Sequence, residues 1–208
     1  MKAVYKKYAI SVAVLMLSIV SSAQTTSKEW FDKAEKFFQD KKYQEAAPAY
    51  EKAAALDPKN ETAFYMAGWC YNDLDKFTNA IDMLKKAVAL KSTDQLAWQE
   101  LGYAYKKTSK NEDALSCLNK AVALKPDYAL AYKQLGDVYQ NMGKKDEAIA
   151  AYRKCYENNN KNDDACYNIG YLYNGLGEYN NAIEWLNKAN IIKPAVNVYN
   201  EIGFANYK

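Results

Sequence analysis

Every 34 residues this chain returns to one pattern: a large side chain, a small one four residues on, and an aromatic three after that. Trp30, Phe64, Trp98 and Tyr132 share the first register, with Cys166 in the fifth place. Ala34, Gly68, Gly102, Gly136 and Gly170 share the second, and Phe37, Tyr71, Tyr105, Tyr139 and Tyr173 the third. The later half of each unit carries its own rows: Ala46, Ala80, Ala114, Ala148 and Ala182; Tyr50, Leu84, Leu118, Tyr152 and Leu186; Ala53, Ala87, Ala121, Cys155 and Ala189. A chain with a fixed period folds as like units stacked on one another, because no single unit can bury its apolar face alone. Such a stack works by presenting a surface.

Spacings of three, four and seven belong to one face of an α-helix, and both halves of each unit show them. Each unit is therefore expected to be two amphipathic helices, with small residues such as Gly68 and Ala80 letting the paired backbones approach. Gly143 and Gly177 fall just past the first helix, where a left-handed residue ends it without strain. Pro58, Pro126 and Pro194 stand between units and stop the second helix. Pro48 is expected within the first turn of its helix, where the missing N–H costs little.

The pattern resembles the tetratricopeptide repeat (TPR) family. Its W-x2-L-G-x2-Y signature reads Trp98, Leu101, Gly102 and Tyr105 here, followed by Ala114, Leu118, Ala121 and Pro126. The resemblance covers units 27–60, 61–94, 95–128, 129–162 and 163–195. A one-residue slip then begins a partial sixth at 196–208, with Tyr199, Ile202 and Gly203 in the signature places. It implies an all-α fold, an α-solenoid of about five helix-turn-helix units wound as a right-handed superhelix, whose first helices line the concave face.

The first 23 residues are of another kind. Lys2, Lys6 and Lys7 precede an apolar run from Tyr8 to Val20, and Ser21, Ser22 and Ala23 offer small residues for cleavage. Residues 1–23 read as a secretory signal peptide, with 24–26 a short linker. An uncleaved membrane anchor is the alternative. Three of the chain's 28 basic residues lie in that segment, leaving 25 against 25 acidic residues in the remainder. A basic footprint for nucleic acid is therefore absent overall. The expected location is exported, periplasmic or secreted.

Histidine does not occur. That excludes Ser-His-Asp and Cys-His nucleophiles and histidine-ligated zinc. No metal motif and no phosphate-cradling glycine loop is present, so the chain is read as non-enzymatic, without metal or cofactor. The four cysteines match no C-x2-C spacing. Cys155 and Cys166 fall on helices expected to be neighbours, which leaves two readings: a disulfide, or small apolar fillers. The run from Glu157 to Asp164 lacks the order of a calcium loop, and Asn60 begins a glycosylation sequon.

The resemblance also implies which positions meet a ligand. Those residues include Phe31, Tyr65, Trp69, Asn72, Tyr103, Lys106, Lys107, Lys133, Asn141, Tyr167, Tyr171 and Asn174, an aromatic and amide surface with a basic patch. Trp69 and Tyr103 are the expected anchors, unless these rings pack on one another between adjacent first helices. A carboxylate clamp of the kind that grips chaperone tails is not implied, because Phe31 and Glu35 stand where it needs lysine and asparagine. The sixth first helix shows apolar residues on more than one side. Tyr199, Ile202 and Phe204 are therefore expected to serve self-association or partner docking. The leading expectation is a protein–protein interaction scaffold holding an extended peptide; glycan or peptidoglycan binding and structural assembly are the alternatives.

Overall fold

The computed structural model describes residues 26–208, so the expected signal peptide and the start of the linker lie outside the described residues. Eleven helices and no strand occur among the described residues. They are α1 (26–39), α2 (Tyr43–Leu56), α3 (Glu61–Asp73), α4 (Phe77–Leu90), α5 (Gln95–Lys107) and α6 (Asn111–Leu124). Then follow α7 (Ala129–Asn141), α8 (Lys145–Asn158), α9 (Asp163–Leu176), α10 (Tyr179–Ile192) and α11 (Val196–Tyr207). Odd-numbered helices are the first of each pair and even-numbered ones the second; α11 begins where the slipped register puts it. The helices group into two compact units, one ending at Thr93 and one beginning at Asp94.

Local chemistry sets where each helix starts. Asn60, Asp94 and Asn162 cap α3, α5 and α9, their side-chain oxygens accepting from backbone N–H groups at 2.8–3.3 Å. Such a cap contributes about 1 kcal/mol. It also occupies the side chain of the Asn60 sequon. Between paired helices a left-handed residue recurs at one repeat position: Lys41, Asp75 and Ser109 at φ 59°, 56° and 58°, then Gly143 and Gly177 at 73° and 79°. Only the last two advertise that turn in sequence.

The packing seam differs in one respect from expectation. The partner of each small first-helix residue is the leucine or tyrosine of the second helix, not the alanine of the Ala80 row. A Cβ built on Gly68 would lie 2.5 Å from Leu84, on Gly102 2.7 Å from Leu118, on Gly136 2.5 Å from Tyr152 and on Gly170 2.5 Å from Leu186. The alanine row comes second, through backbone: the Ala182 carbonyl is 3.1 Å from the Gly170 site. At these four positions the roofing side chain fills the space a methyl would take.

One further expectation changes, and one open choice falls to its second reading. Pro48 is the sixth residue of α2, a turn later than expected. It survives there because it and Gln44, whose carbonyl it cannot serve, are both exposed to water. Cys155 and Cys166 are free, like Cys70 and Cys117, and all four are buried. The two belong to one hydrophobic cluster with Tyr152, Ile169 and Leu186, so they act as fillers and not as a bridge. Burial pushes the Cys155 and Cys166 thiols up to about 11, which removes the thiolate needed for exchange at neutral pH.

Candidate functional site

In the first unit the expected groove aromatics pack on one another. Trp69 is half-buried, its ring 5.2 Å from Phe38 and 5.4 Å from Tyr43, both edge-on. Phe31 meets Tyr50 at 5.3 Å. Phe38 and Tyr43 close the set at 5.5 Å. Tyr65 is half-buried and Asn72 buried. Edge-to-face pairs of this kind each contribute about 0.5–1.5 kcal/mol beyond burial. Trp69 is thus a packed ring with one accessible side, and not a free anchor.

The second unit is different. Tyr103 on α5 is half-buried, with the Lys106 and Lys107 ammonium groups 5.5 and 5.6 Å from its ring. Lys106 Nζ lies 2.6 Å from Asp137 Oδ2 and Lys133 Nζ 3.4 Å from the same oxygen. The Tyr152 hydroxyl is 2.9 Å from Asp137 Oδ1 and 2.9 Å from Gln140 Oε1. Burial first, then Asp137, drives the Tyr152 phenol pKa far above its ordinary value, so it stays a donor. Lys106, Lys107, Asp137, Gln140, Asn141, Tyr152 and Asn168 together line a polar cavity of about 380 Å³. Its lining combines two lysines, amides, a phenol and one carboxylate, which Lys106 shares with Lys133.

Further along, Tyr167 stacks on Tyr171 at 6.3 Å, and Tyr171 remains 47 % exposed. Asn174 is buried, donating from Nδ2 to the Glu201 carbonyl at 3.1 Å and its carboxylate at 2.8 Å. Tyr171, Leu172, Asn174, Gly175, Lys145, Glu201 and Phe204 line a second cavity of about 310 Å³. Of the three residues expected to self-associate, Tyr199 is 55 % exposed and Ile202 is half-buried against the core. Phe204 lies about 140° round the helix from Tyr199 and meets Tyr179 at 6.2 Å. The three do not form one patch.

Two regularities escaped the sequence reading. In three of the five second helices the first residue lies against the ninth position of the next unit: Tyr43 on Trp69, Lys145 beside Tyr171, Tyr179 on Phe204. The second is a pairing visible in hindsight. Where the roofing residue is tyrosine, the ninth position is acidic, and its carboxylate accepts the phenol: Tyr50 with Glu35, Tyr152 with Asp137. Where it is Leu84, Leu118 or Leu186, the ninth position is Trp69, Tyr103 or Tyr171. A buried hydroxyl reaching past the small residue of that row needs an acceptor, whereas a leucine needs none. Glu35 and Asp137 are therefore structural before they are anything else. Also unforeseen is an apolar groove on the first unit's second helices, lined by Ala54, Ala55, Phe64, Met83, Ala89 and Leu90, with Glu51 and Lys86 at its edge.

Family models described as TPR repeat or tetratricopeptide repeat match residues 37–101, 102–143, 129–162 and 163–195. Among solved structures, a crystal structure of MamA protein is 33 % identical, covering 81 % of this chain and 92 % of that one with TM-score 0.76. YrrB, described as a TPR protein with an unusual peptide-binding site, is 28 % identical over 90 % of this chain and 96 % of its own, TM-score 0.71. TTC0263, a thermophilic TPR protein in Thermus thermophilus, shares the fold at 21 % identity, covering 88 % of this chain and 100 % of its own with TM-score 0.62. Comparison with curated proteins returned no match.

Proposed function

This chain belongs to the tetratricopeptide repeat family, a family of protein-interaction scaffolds, and from that premise we propose that it is a non-enzymatic scaffold that binds an extended peptide along first helices of its second unit. The single observation that carries this is the polar cavity beside Tyr103, which Lys106, Lys107 and Asn141 line together with one carboxylate, Asp137. An acidic side chain or terminal carboxylate of the ligand sits there. Lys133 supports it indirectly, by sharing Asp137 with Lys106. Tyr167 and Tyr171 provide an apolar face for the adjoining residues of the ligand. The scaffold is rigid, so binding orders the ligand alone, which limits the entropic cost.

The N-terminal pattern of lysines, apolar run and small residues supports export, and the ligand is then a protein of the envelope or exterior. The test is capture of the partner from the cell envelope with the mature chain and with a Tyr103→Ala, Lys107→Glu variant, quantified by mass spectrometry. Loss of the captured partner by the variant, with circular dichroism unchanged, is the expected result. Equal capture by both proteins would show that the ligand lies elsewhere.

A further inference from the structure

The two cavities of the second unit share a place in the repeat. Asp137, Gln140 and Asn141 of α7, with Asn168 of α9, line the first. One repeat on, allowing for the one-residue slip, their counterparts are Tyr171, Asn174, Gly175 and Glu201, and all four line the second. The chemistry changes between them. Where the first cavity has Lys106, Lys107 and amides, the second has a carboxylate and two accessible rings, Tyr171 at 47 % and Phe204 at 44 % exposed. Glu201 is half-buried, and no lysine or arginine among the described residues forms an ion pair with it. Asn174 Nδ2 donates to its Oε2 at 2.8 Å and to its carbonyl at 3.1 Å, which holds the carboxylate in place and leaves Oε1 open.

We propose that this second cavity binds a basic side chain, arginine before lysine, of the same extended peptide whose acidic group enters the first cavity. The continuity of the ligand rests on that reading of the first cavity; the charge it carries here rests on Glu201, Tyr171 and Phe204. Lys145 also lines the cavity, so the sign has to be decided. Its ammonium is exposed and donates to the Gly175 carbonyl at 2.9 Å, where water screens it. An anion drawn by Lys145 would meet the Glu201 carboxylate and the negative faces of two rings. A cation gains from both, and loses little to a screened lysine. The Lys208 ammonium, 6.0 Å from the Phe204 ring, stands outside the lining. Arginine fits best because its flat guanidinium can lie on a ring while one of its N–H groups reaches Oε1. The groove thus reads charge in sequence: an acidic residue, then a basic one a repeat further along the first helices.

The test uses the full chain and fluorescein-labelled, amidated peptides with one glutamate and one arginine at varied separation, in both orders. Each is paired with a copy in which citrulline, uncharged and of nearly the same shape, replaces the arginine. Fluorescence anisotropy should show the best arginine peptide binding about tenfold more tightly than its citrulline copy. Glu201→Gln keeps an acceptor for Asn174, so the variant folds, and it should abolish that preference while leaving the citrulline copy's affinity unchanged. Tyr171→Leu should reduce the preference about threefold. Lys107→Glu acts on the first cavity and should weaken both peptides alike. If arginine and citrulline peptides bind equally, or the preference survives Glu201→Gln, while Lys107→Glu still weakens both, this proposal is overturned and the acidic site stands. A preference lost in Glu201→Gln with no response to Lys107→Glu upholds the basic site and removes the acidic one. No binding by any peptide would overturn both.

Discussion

The first and last described helices present opposite surfaces to water. In α3, α5, α7, α9 and α11 the third and tenth positions are buried small or aliphatic residues, from Ala63 and Cys70 to Val198 and Ala205. In α1 the same positions are Glu29 and Lys36, both exposed. That helix meets water with a polar face at those positions. The open face of α11 instead shows Val196, Tyr199 and Tyr207. The repeat fixes which positions pack and leaves the exposed side of a helix free to be charged or apolar.

The largest effect that could break this contrast is Val198→Asp. An unpaired carboxylate at a site 3 % exposed should cost about 3–5 kcal/mol locally and release α11, read as fast amide exchange in residues 196–207. Glu29→Ala at the matching end should stay within about 0.5 kcal/mol, because the site is exposed. Similar effects from the two would erase the distinction.

A smaller effect separates the early and late turns. Ser109 carries the left-handed residue at φ 58° where the later units have Gly143 and Gly177. Ser109→Gly should stabilise by about 1 kcal/mol and Gly177→Ala should destabilise by about the same, both read from urea midpoints. The smallest effect is in pH. Burial pushes the Cys70 and Cys117 thiols up to about 12, and those of Cys155 and Cys166 to about 11. Raised folded values mean that the unfolded chain loses these protons first. Stability should therefore be level below about pH 8.5, the thiol's unfolded value, and fall above it as pH rises toward the folded values. Alanine at Cys155 and Cys166 should flatten that fall; an unchanged slope would contradict it.

Much of the fold was legible because the seam sets the period. Gly68 and Leu84 must recur together, so their rows reveal both helices and the pairing between them. The slip at residue 196 was legible for the same reason, since Tyr199, Ile202 and Gly203 preserve the signature. The site was less legible. A ninth-position ring such as Trp69 reads as exposed within its own unit, and only the neighbouring Phe38 and Tyr43 show it packed. Lys41, Asp75 and Ser109 hide a left-handed turn because their side chains do not require one. Lys106 and Lys133 read as free basic charge, yet Asp137, placed there to satisfy Tyr152, takes part of it. The misses at Trp69 and at the lysines share one cause: the deciding contact comes from a residue about one unit away or from the other helix of the pair.

The central claim is that a glycine at the eighth position of a first helix is roofed by the paired second helix at Gly68, Gly102, Gly136 and Gly170, and stands open at Gly203 in α11. Thermal unfolding of Gly170→Ala and Gly203→Ala, run side by side, tests it most directly. Gly170→Ala should lower stability by about 1–3 kcal/mol, since its methyl would sit 2.5 Å from Leu186. Gly203→Ala should raise it by about 0.5–1 kcal/mol through helix propensity alone. A loss of stability in both would mean that something already covers Gly203, and the account of an open position there would be wrong.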